Sequence, residues 1–255
     1  MDNITKAKIN LFAVLRNLED LCEMDPEAKE LIKDEKIRIG FSVPEVGKAV
    51  LEFKDGKCTF IPDCFKANLQ LWFTSAEHFN KLIDGEKTIP IFCNVFKAGF
   101  LLGTFTKLAD RLSYYLQPAP DKAAELLADE NYFKTNTILT AYTAFFALAQ
   151  IGNSDKVGKI IAKRMPDCVL MAGVKGEMEI QLSIKDHKLT AAKGAPETPP
   201  TAEMLFADLE FTHSLLSGQT SSFAGMGEGK FEVKGAVNIL EQMSKLLDIV
   251  SIYLA

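Results

Sequence analysis

Three histidines, five cysteines and one glycine-rich stretch are the places where this chain of 255 residues could do chemistry. His78, His187 and His213 are scattered, and no grouping of His, Cys, Asp or Glu has the spacing of a zinc site. They read as surface or helix-end histidines. Cys22, Cys58, Cys64, Cys93 and Cys168 are odd in number and include no C-x-x-C pair, so they read as small apolar core residues with reduced thiols. Ser214, Ser221 and Ser222 lack the G-x-S-x-G setting of a nucleophile elbow. The run GMGEGK at 225–230 resembles a phosphate loop, but Phe231 follows the lysine where such a loop needs Ser or Thr. A dinucleotide fingerprint fails at Lys230. The sequence therefore predicts no catalytic residue, no metal and no cofactor.

Bulk properties narrow the classes further. A chain that is 47% hydrophobic and 25% charged is that of a folded globular protein. Its net charge of −5 argues against a general role on nucleic acid or on an anionic membrane. The opening MDNITKAKIN has charges where a signal peptide needs an apolar centre, which predicts a cytosolic location. The stretch 135–154 has no charged residue, yet its Thr, Asn, Gln and Ser content predicts a helix buried between two lobes, with no stable membrane insertion.

The elements that must position any site come from an internal repeat. FKDGKCT at 53–59 matches IKDHKLT at 184–190, an offset of 131. NLQLWFTSAEHFNKLIDG (68–85) pairs with TAEMLFADLEFTHSLLSG (201–218) at offset 133, and Gly103 pairs with Gly235 at offset 132. A register that drifts so little predicts two copies of one domain. The expected division is 1–117, a linker at 118–133 around QPAP, and 134–255.

Each copy reads in the same order. An amphipathic helix (Ile9, Phe12, Leu15, Leu18, Leu21; Phe145, Leu148, Ile151) precedes a short helix with Asp25 or Ser154 as N-cap. Strands follow, turned at Lys54-Asp55-Gly56 and Lys185-Asp186-His187. Thr74 to Glu77 and Asp208 start capped helices that end at Gly85 and Gly218. Apolar irregular stretches come next (89–96 and 223–226), then a strand, glycine and helix in each copy: AGFLLGTFTKL from residue 98 and GKFEVKGAVNIL from residue 229. In this reading the glycine lets the helix pack close against the sheet. Strands and helices without a βαβ rhythm predict an α+β fold.

ADLEFTHSLLSG (207–218) followed by GKFEVKGAVNIL (229–240) resembles the sterol carrier protein 2 (SCP2) domain, through Gly229, Lys230, Phe231, Val233 and Gly235. The first copy departs from that pattern, with Gly99-Phe100-Leu101-Leu102-Gly103 and no lysine. The resemblance implies two tandem domains, each a mixed, mainly antiparallel sheet covered by helices, with an apolar tunnel for a fatty-acyl chain, sterol or other lipid and no catalysis. In the second copy the tunnel would be lined by Phe211, Leu215, Phe223, Met226, Phe231 and Val233, with Ile239, Leu240, Met243 and Leu247 of the last helix. In the first copy the lining would be Phe79, Leu82, Phe92, Phe96, Phe100 and Leu102. The implied partner is a hydrophobic small molecule, and the doubling allows an internal pseudo-dimer. The alternative is an accessory, protein-binding module whose cavity its own Phe92, Phe96, Phe100 and Leu101 fill.

Overall fold

The structure, a computed structural model, describes residues 1–93 and 98–254. It divides into two compact units, Met1–Leu139 and Thr140–Ala255. Unit 1 starts with a helical run whose hydrogen bonding changes along its length: α1 (Asn3–Ile9), a π-helical turn (Asn10–Val14), a 3-10 turn (Leu15–Asn17) and α2 (Leu18–Met24). Leu11, Leu15, Leu18 and Leu21 are buried along it. α3 (Pro26–Ile32) follows, with Asp25 accepting from the Ala28 N–H as N-cap and Pro26 in the first turn.

The unit 1 sheet holds β1 (Ile37–Val43), β2 (Gly47–Lys54), β3 (Lys57–Pro62), β4 (Leu69–Trp72) and β5 (Ile91–Cys93) in the order β3-β2-β1-β4-β5. Only β1 and β4 run parallel; the other neighbours are antiparallel. The helix α4 (Ala76–Ile83) connects β4 to β5, and α5 (Ala98–Phe100), a π-helical turn (Leu101–Phe105), α6 (Thr106–Leu116) and α7 (Ala123–Leu127) complete the unit. A helix of 25 residues, α8 (Glu130–Ser154), contains the boundary between the units. It is buried on every side from Thr135 to Leu139 and again from Ala141 to Ala149, which is why it shows no polar stripe. Among the described residues, no helix is long and apolar enough to cross a membrane.

Unit 2 continues with α9 (Lys156–Ala162), β6 (Cys168–Val174), β7 (Met178–Lys185), β8 (Lys188–Lys193), β9 (Ala202–Phe206), α10 (Leu209–Leu216), α11 (Ser222–Gly227), β10 (Phe231–Gly235) and α12 (Val237–Leu254). Its sheet order is β10-β9-β6-β7-β8, the unit 1 order read from the other edge, again with one parallel pair (β6 and β9). The two predicted hairpin turns form as expected. Asp55 and Gly56 take φ of 53° and 70°, and Asp186 and His187 take 49° and 61°. Phe53 thus faces Cys58, and Ile184 faces Leu189.

Four expectations are corrected. The α9 cap is Asp155, whose carboxylate accepts from the N–H groups of Val157 and Gly158, not Ser154. The cap of α4 is Ser75, so the Thr74 to Glu77 spacing is not the capping pair; the His78 ring meets Thr74 instead, and Glu77 pairs with Lys81. Cys93 is exposed rather than core. In unit 1 the segment after residue 98 is helical rather than a strand, and the edge strand is Ile91–Cys93. The apolar run Phe100-Leu101-Leu102 does not alternate, whereas Phe231-Glu232-Val233-Lys234 does, and only alternation suits a half-buried strand.

Candidate ligand-binding site

In unit 2 three phenylalanines from three elements form one buried layer. Phe206 ends β9, Phe211 lies in the first turn of α10, and Phe231 opens β10. Each is about 5–6% exposed. Phe206 and Phe231 stack with centroids 5.5 Å apart, and Phe211 lies 6.3 Å from both. The Asp208 carboxylate accepts from the Phe211 N–H at 2.7 Å, so the helix cap sets where that ring starts. Phe206 and Phe231 are direct cross-strand partners, which brings their rings together.

α11 lies against this layer because Gly225 has no side chain. A Cβ there would sit 2.1 Å from Cζ of Phe211. The helix is capped by Ser221, whose hydroxyl accepts from the Ala224 N–H. Its two large apolar side chains point outward: Phe223 is 81% exposed and Met226 is 41% exposed. Two solvated apolar groups on a six-residue helix, one glycine away from a buried aromatic layer, form an apolar rim beside an apolar interior.

The sheet beneath distributes its volume differently in the two units: Ile180 and Leu189 are larger than their counterparts Ala49 and Cys58, while four other positions are smaller. At the hairpin-matched positions, Ala172 stands where unit 1 has Phe41, Ile184 where it has Phe53, and Ala191 where it has Phe60. Ala202 likewise replaces Leu69 beside the central strand. In unit 1 the larger groups meet rings from the helical segment after residue 98. Phe53 lies 5.4 Å from Phe100, and Phe41 lies 6.1 Å from Phe105. Those rings occupy the layer between sheet and helices.

The residues predicted to line a tunnel fall into three environments. Phe211, Phe231, Ile239, Leu240 and Met243 are buried, as are Phe79 and Phe100 in unit 1. Leu215, Val233, Leu247, Leu82 and Phe92 are half-buried. Phe223, Met226 and Leu102 are exposed. Phe96 lies outside the described residues. An open depression of about 490 Å³ lies elsewhere, at the β1–β2 turn of unit 1, lined by residues including Pro44, Val46, Trp72 and Phe73. None of the predicted lining residues borders it.

The polar cluster that sequence reading missed joins α3 to α6. Asp25 accepts from Arg111 Nη2 at 2.7 Å, Arg111 Nε at 2.9 Å and the Tyr115 hydroxyl at 3.2 Å. Burial raises the Asp25 carboxyl, but the Arg111 and Ala28 hydrogen bonds outweigh it and hold the group below the usual carboxylate range. Burial, reinforced by the Asp25 charge, pushes the Tyr115 phenol up to about 12. Burial does the same to Tyr132, also up to about 12. In unit 2, Tyr253 donates to Asp155 at 2.9 Å with no arginine at the corresponding place. These contacts are saturated, so they hold helices rather than a ligand. The only hint in the sequence was the pair of acidic caps, 130 residues apart. Among the described residues, no three His, Cys, Asp or Glu side chains gather as a metal site.

No family model matches the sequence, and no curated protein does. Among solved structures, the chain is similar to a protein described as "UbiJ-SCP2 Ubiquinone synthesis protein", with 18% identity, a TM-score of 0.33, and coverage of 41% of this chain and 85% of that one. It is also similar to the sterol carrier protein domain 2 of Helicoverpa armigera (12% identity, TM-score 0.36, 44% and 88% coverage). A third is sterol carrier protein 2 like 2 from Aedes aegypti (14% identity, TM-score 0.31, 44% and 96% coverage).

Proposed function

We propose that unit 2 binds a hydrocarbon chain, a fatty-acyl group or similar lipid, without catalysis, and that α11 is its entrance. The observation that carries this reading is the pairing of exposed Phe223 and Met226 with the buried Phe206, Phe211 and Phe231 layer directly beneath them. The small side chains of Ala191 and Ala202, where unit 1 has Phe60 and Leu69, add to it, because a chain that enters needs fewer groups displaced. Half-buried Leu215 and Leu247 are the side chains that would swing aside. The energetics suffice: burying a chain of about sixteen carbons yields about 13 kcal/mol gross. Association and ordering remove something like 4–10 kcal/mol. Micromolar affinity then needs no charged contact.

Unit 1 supports the other reading for itself. Phe100 on Phe53 and Phe105 on Phe41 fill the corresponding layer with the chain's own rings, so unit 1 is the self-filled, accessory copy.

Mass spectrometry of an organic-solvent extract of the purified chain tests the proposal, together with uptake of a fluorescent acyl probe. Stoichiometric lipid, with uptake lowered roughly tenfold by Ala172→Leu and less by Phe223→Ser, is the expected result. An extract free of lipid and no probe uptake by the folded protein would sink the proposal.

A further inference from the structure

The two edges of the unit 2 sheet are treated differently. At the β8 edge the side-chain amide of Asn153, on α8, meets the backbone of Leu189 in both directions. The Leu189 N–H donates to Asn153 Oδ1 at 2.9 Å, and Asn153 Nδ2 donates to the Leu189 carbonyl at 2.7 Å. The helix lies so close that a Cβ on Gly152 would sit 2.9 Å from Cδ2 of Leu189. α8 thus stands where another strand would pair, which closes that edge. Unit 1 covers β3 in a similar way, with Glu19 Oε1 accepting from the Phe60 N–H at 2.6 Å.

β10 is the opposite edge of the same sheet. Two backbone bonds fix the phase of its ladder with β9: the Ala207 N–H donates to the Lys230 carbonyl at 2.9 Å, and the Ala236 N–H to the Thr201 carbonyl at 3.3 Å. Residues 230, 232, 234 and 236 therefore turn their backbone groups toward β9, whereas Phe231, Val233 and Gly235 turn theirs outward. Among the described residues, no side chain bonds to the Val233 backbone as Asn153 does to Leu189. Side chains alternate as well. Phe231 is buried and Val233 half-buried on the helix-covered face, while Glu232 and Lys234 are exposed on the other. Lys234 Nζ lies 3.2 Å from the Glu232 carboxylate and 4.0 Å from that of Glu203.

We propose that the open edge of β10 pairs with β10 of a second copy of this chain, antiparallel and centred on Val233. The stretch Phe231-Glu232-Val233-Lys234-Gly235 selects this occupant by charge. In that register each Glu232 faces Lys234 of the second copy, and each Val233 exchanges two N–H···O=C bonds with its counterpart. The charged pairs then fall at non-hydrogen-bonded positions, where side chains approach closest. A register shifted by two residues either way sets Glu232 against Glu232 or Lys234 against Lys234, and an in-register parallel arrangement does both. Phe231 faces Gly235 of the second copy, where no side chain competes with the ring. The contact uses the same patch on both chains and closes at two copies, because α8 occupies the other edge. Five residues a side bury far less than the roughly 1,200 Å² of a stable interface, so the dimer is weak and reversible. This inference does not require a ligand in unit 2.

Sedimentation velocity of the full chain from about 10 μM to about 1 mM tests it. The wild type is expected to pass from one chain to two across this range at about 0.1 M salt. Glu232→Lys or Lys234→Glu alone makes both cross-strand pairs repulsive and should weaken association by about tenfold or more. An equimolar mixture of those two variants sets lysines against glutamates again and should recover the dimer. The double exchange, Glu232→Lys with Lys234→Glu in one chain, should recover it too. Val233→Pro removes the outward N–H, a change that an edge strand tolerates, and should abolish pairing. Ile91→Ser, on the edge strand β5 of unit 1, should leave the dimer intact. Far-ultraviolet circular dichroism verifies that each variant is folded, and the charge variants decide alone if the proline variant is not. A single chain throughout the range overturns the proposal. So does a dimer that persists in the charge variants, or one that mixing them fails to restore. Loss of the dimer in Ile91→Ser or in Phe223→Ser, with retention in the charge variants, overturns it in favour of β5 or α11 as the contact.

Discussion

The hydroxyl of Tyr253, one of the last residues of α12, donates to the carboxylate of Asp155, the N-cap of α9, at 2.9 Å. Unit 1 makes the same connection between Tyr115 of α6 and Asp25, the N-cap of α3, at 3.2 Å. In both units a helix that follows the sheet is thus tied to the start of the short helix before it. The tie serves two purposes at once, because the same carboxylate satisfies the first-turn N–H groups of the helix it caps.

Removing the Tyr253 hydroxyl isolates this link. Tyr253→Phe leaves the ring in place and should cost about 1 kcal/mol of unfolding free energy, the usual net worth of one such hydrogen bond. Tyr115→Phe should cost no more, since Arg111 still holds Asp25. Urea melts of the two single variants check the comparison, and a larger loss in Tyr115→Phe would contradict it.

Acid should release the unit 1 tie. The folded-state pKa of Asp25 lies below its unfolded value, so its contribution is fully present above about pH 4. It is lost as pH falls through the folded value. Arg111→Met leaves the carboxylate buried without its partner, costs about 3 kcal/mol at neutral pH, and flattens the acid dependence. Tyr115 and Tyr132 act at the other extreme. With both phenols raised to about 12, their contribution is intact below about pH 10 and fades between there and pH 12. Denaturant melts across the pH range read both limbs.

Two glycines that look equivalent in the sequence should respond with opposite signs. Gly235 has φ of +83°, and a Cβ there would lie 2.1 Å from the Thr201 carbonyl oxygen. The glycine thus accommodates the neighbouring strand's backbone at a left-handed turn, rather than the helix that follows. Gly235→Ala should cost roughly 2–4 kcal/mol. Gly103 lies in a helical segment with no atom within 4 Å of where a Cβ would sit, so Gly103→Ala should gain about 0.5–1 kcal/mol. Thermal melts decide; equal effects would mean the two sites share a conformation.

Proteolysis reads the division of the chain. We propose that 118–133 joins folding units 1–117 and 134–255. Brief protease treatment should then cut at exposed positions such as Lys122, and spare α8 from Thr135 to Ala149, where the backbone is buried. Cleavage inside α8 before any cut at 118–129 would contradict this.

The hairpins and two of the four caps were legible in the sequence because they depend on neighbours in the chain. Asp55-Gly56 and Asp186-His187 accept positive φ, alternating strands flank them, and Asp25 and Asp208 sit beside the N–H groups they cap. From those local signals followed the α+β class, the matched hairpins and the matched capped helices. What the chain alone left open was settled by partners far away. The three-residue edge strand Ile91–Cys93 has no pattern of its own and exists through pairing with β4, while in unit 2 α11 stands between the capped helix and the edge strand. Arg111 finds Asp25 across 86 residues, and Phe223 differs from Phe231 only in which side of a short helix or strand faces water. Short-range turn chemistry is written in residue types, whereas burial and long-range pairing depend on which surfaces meet when the layers close.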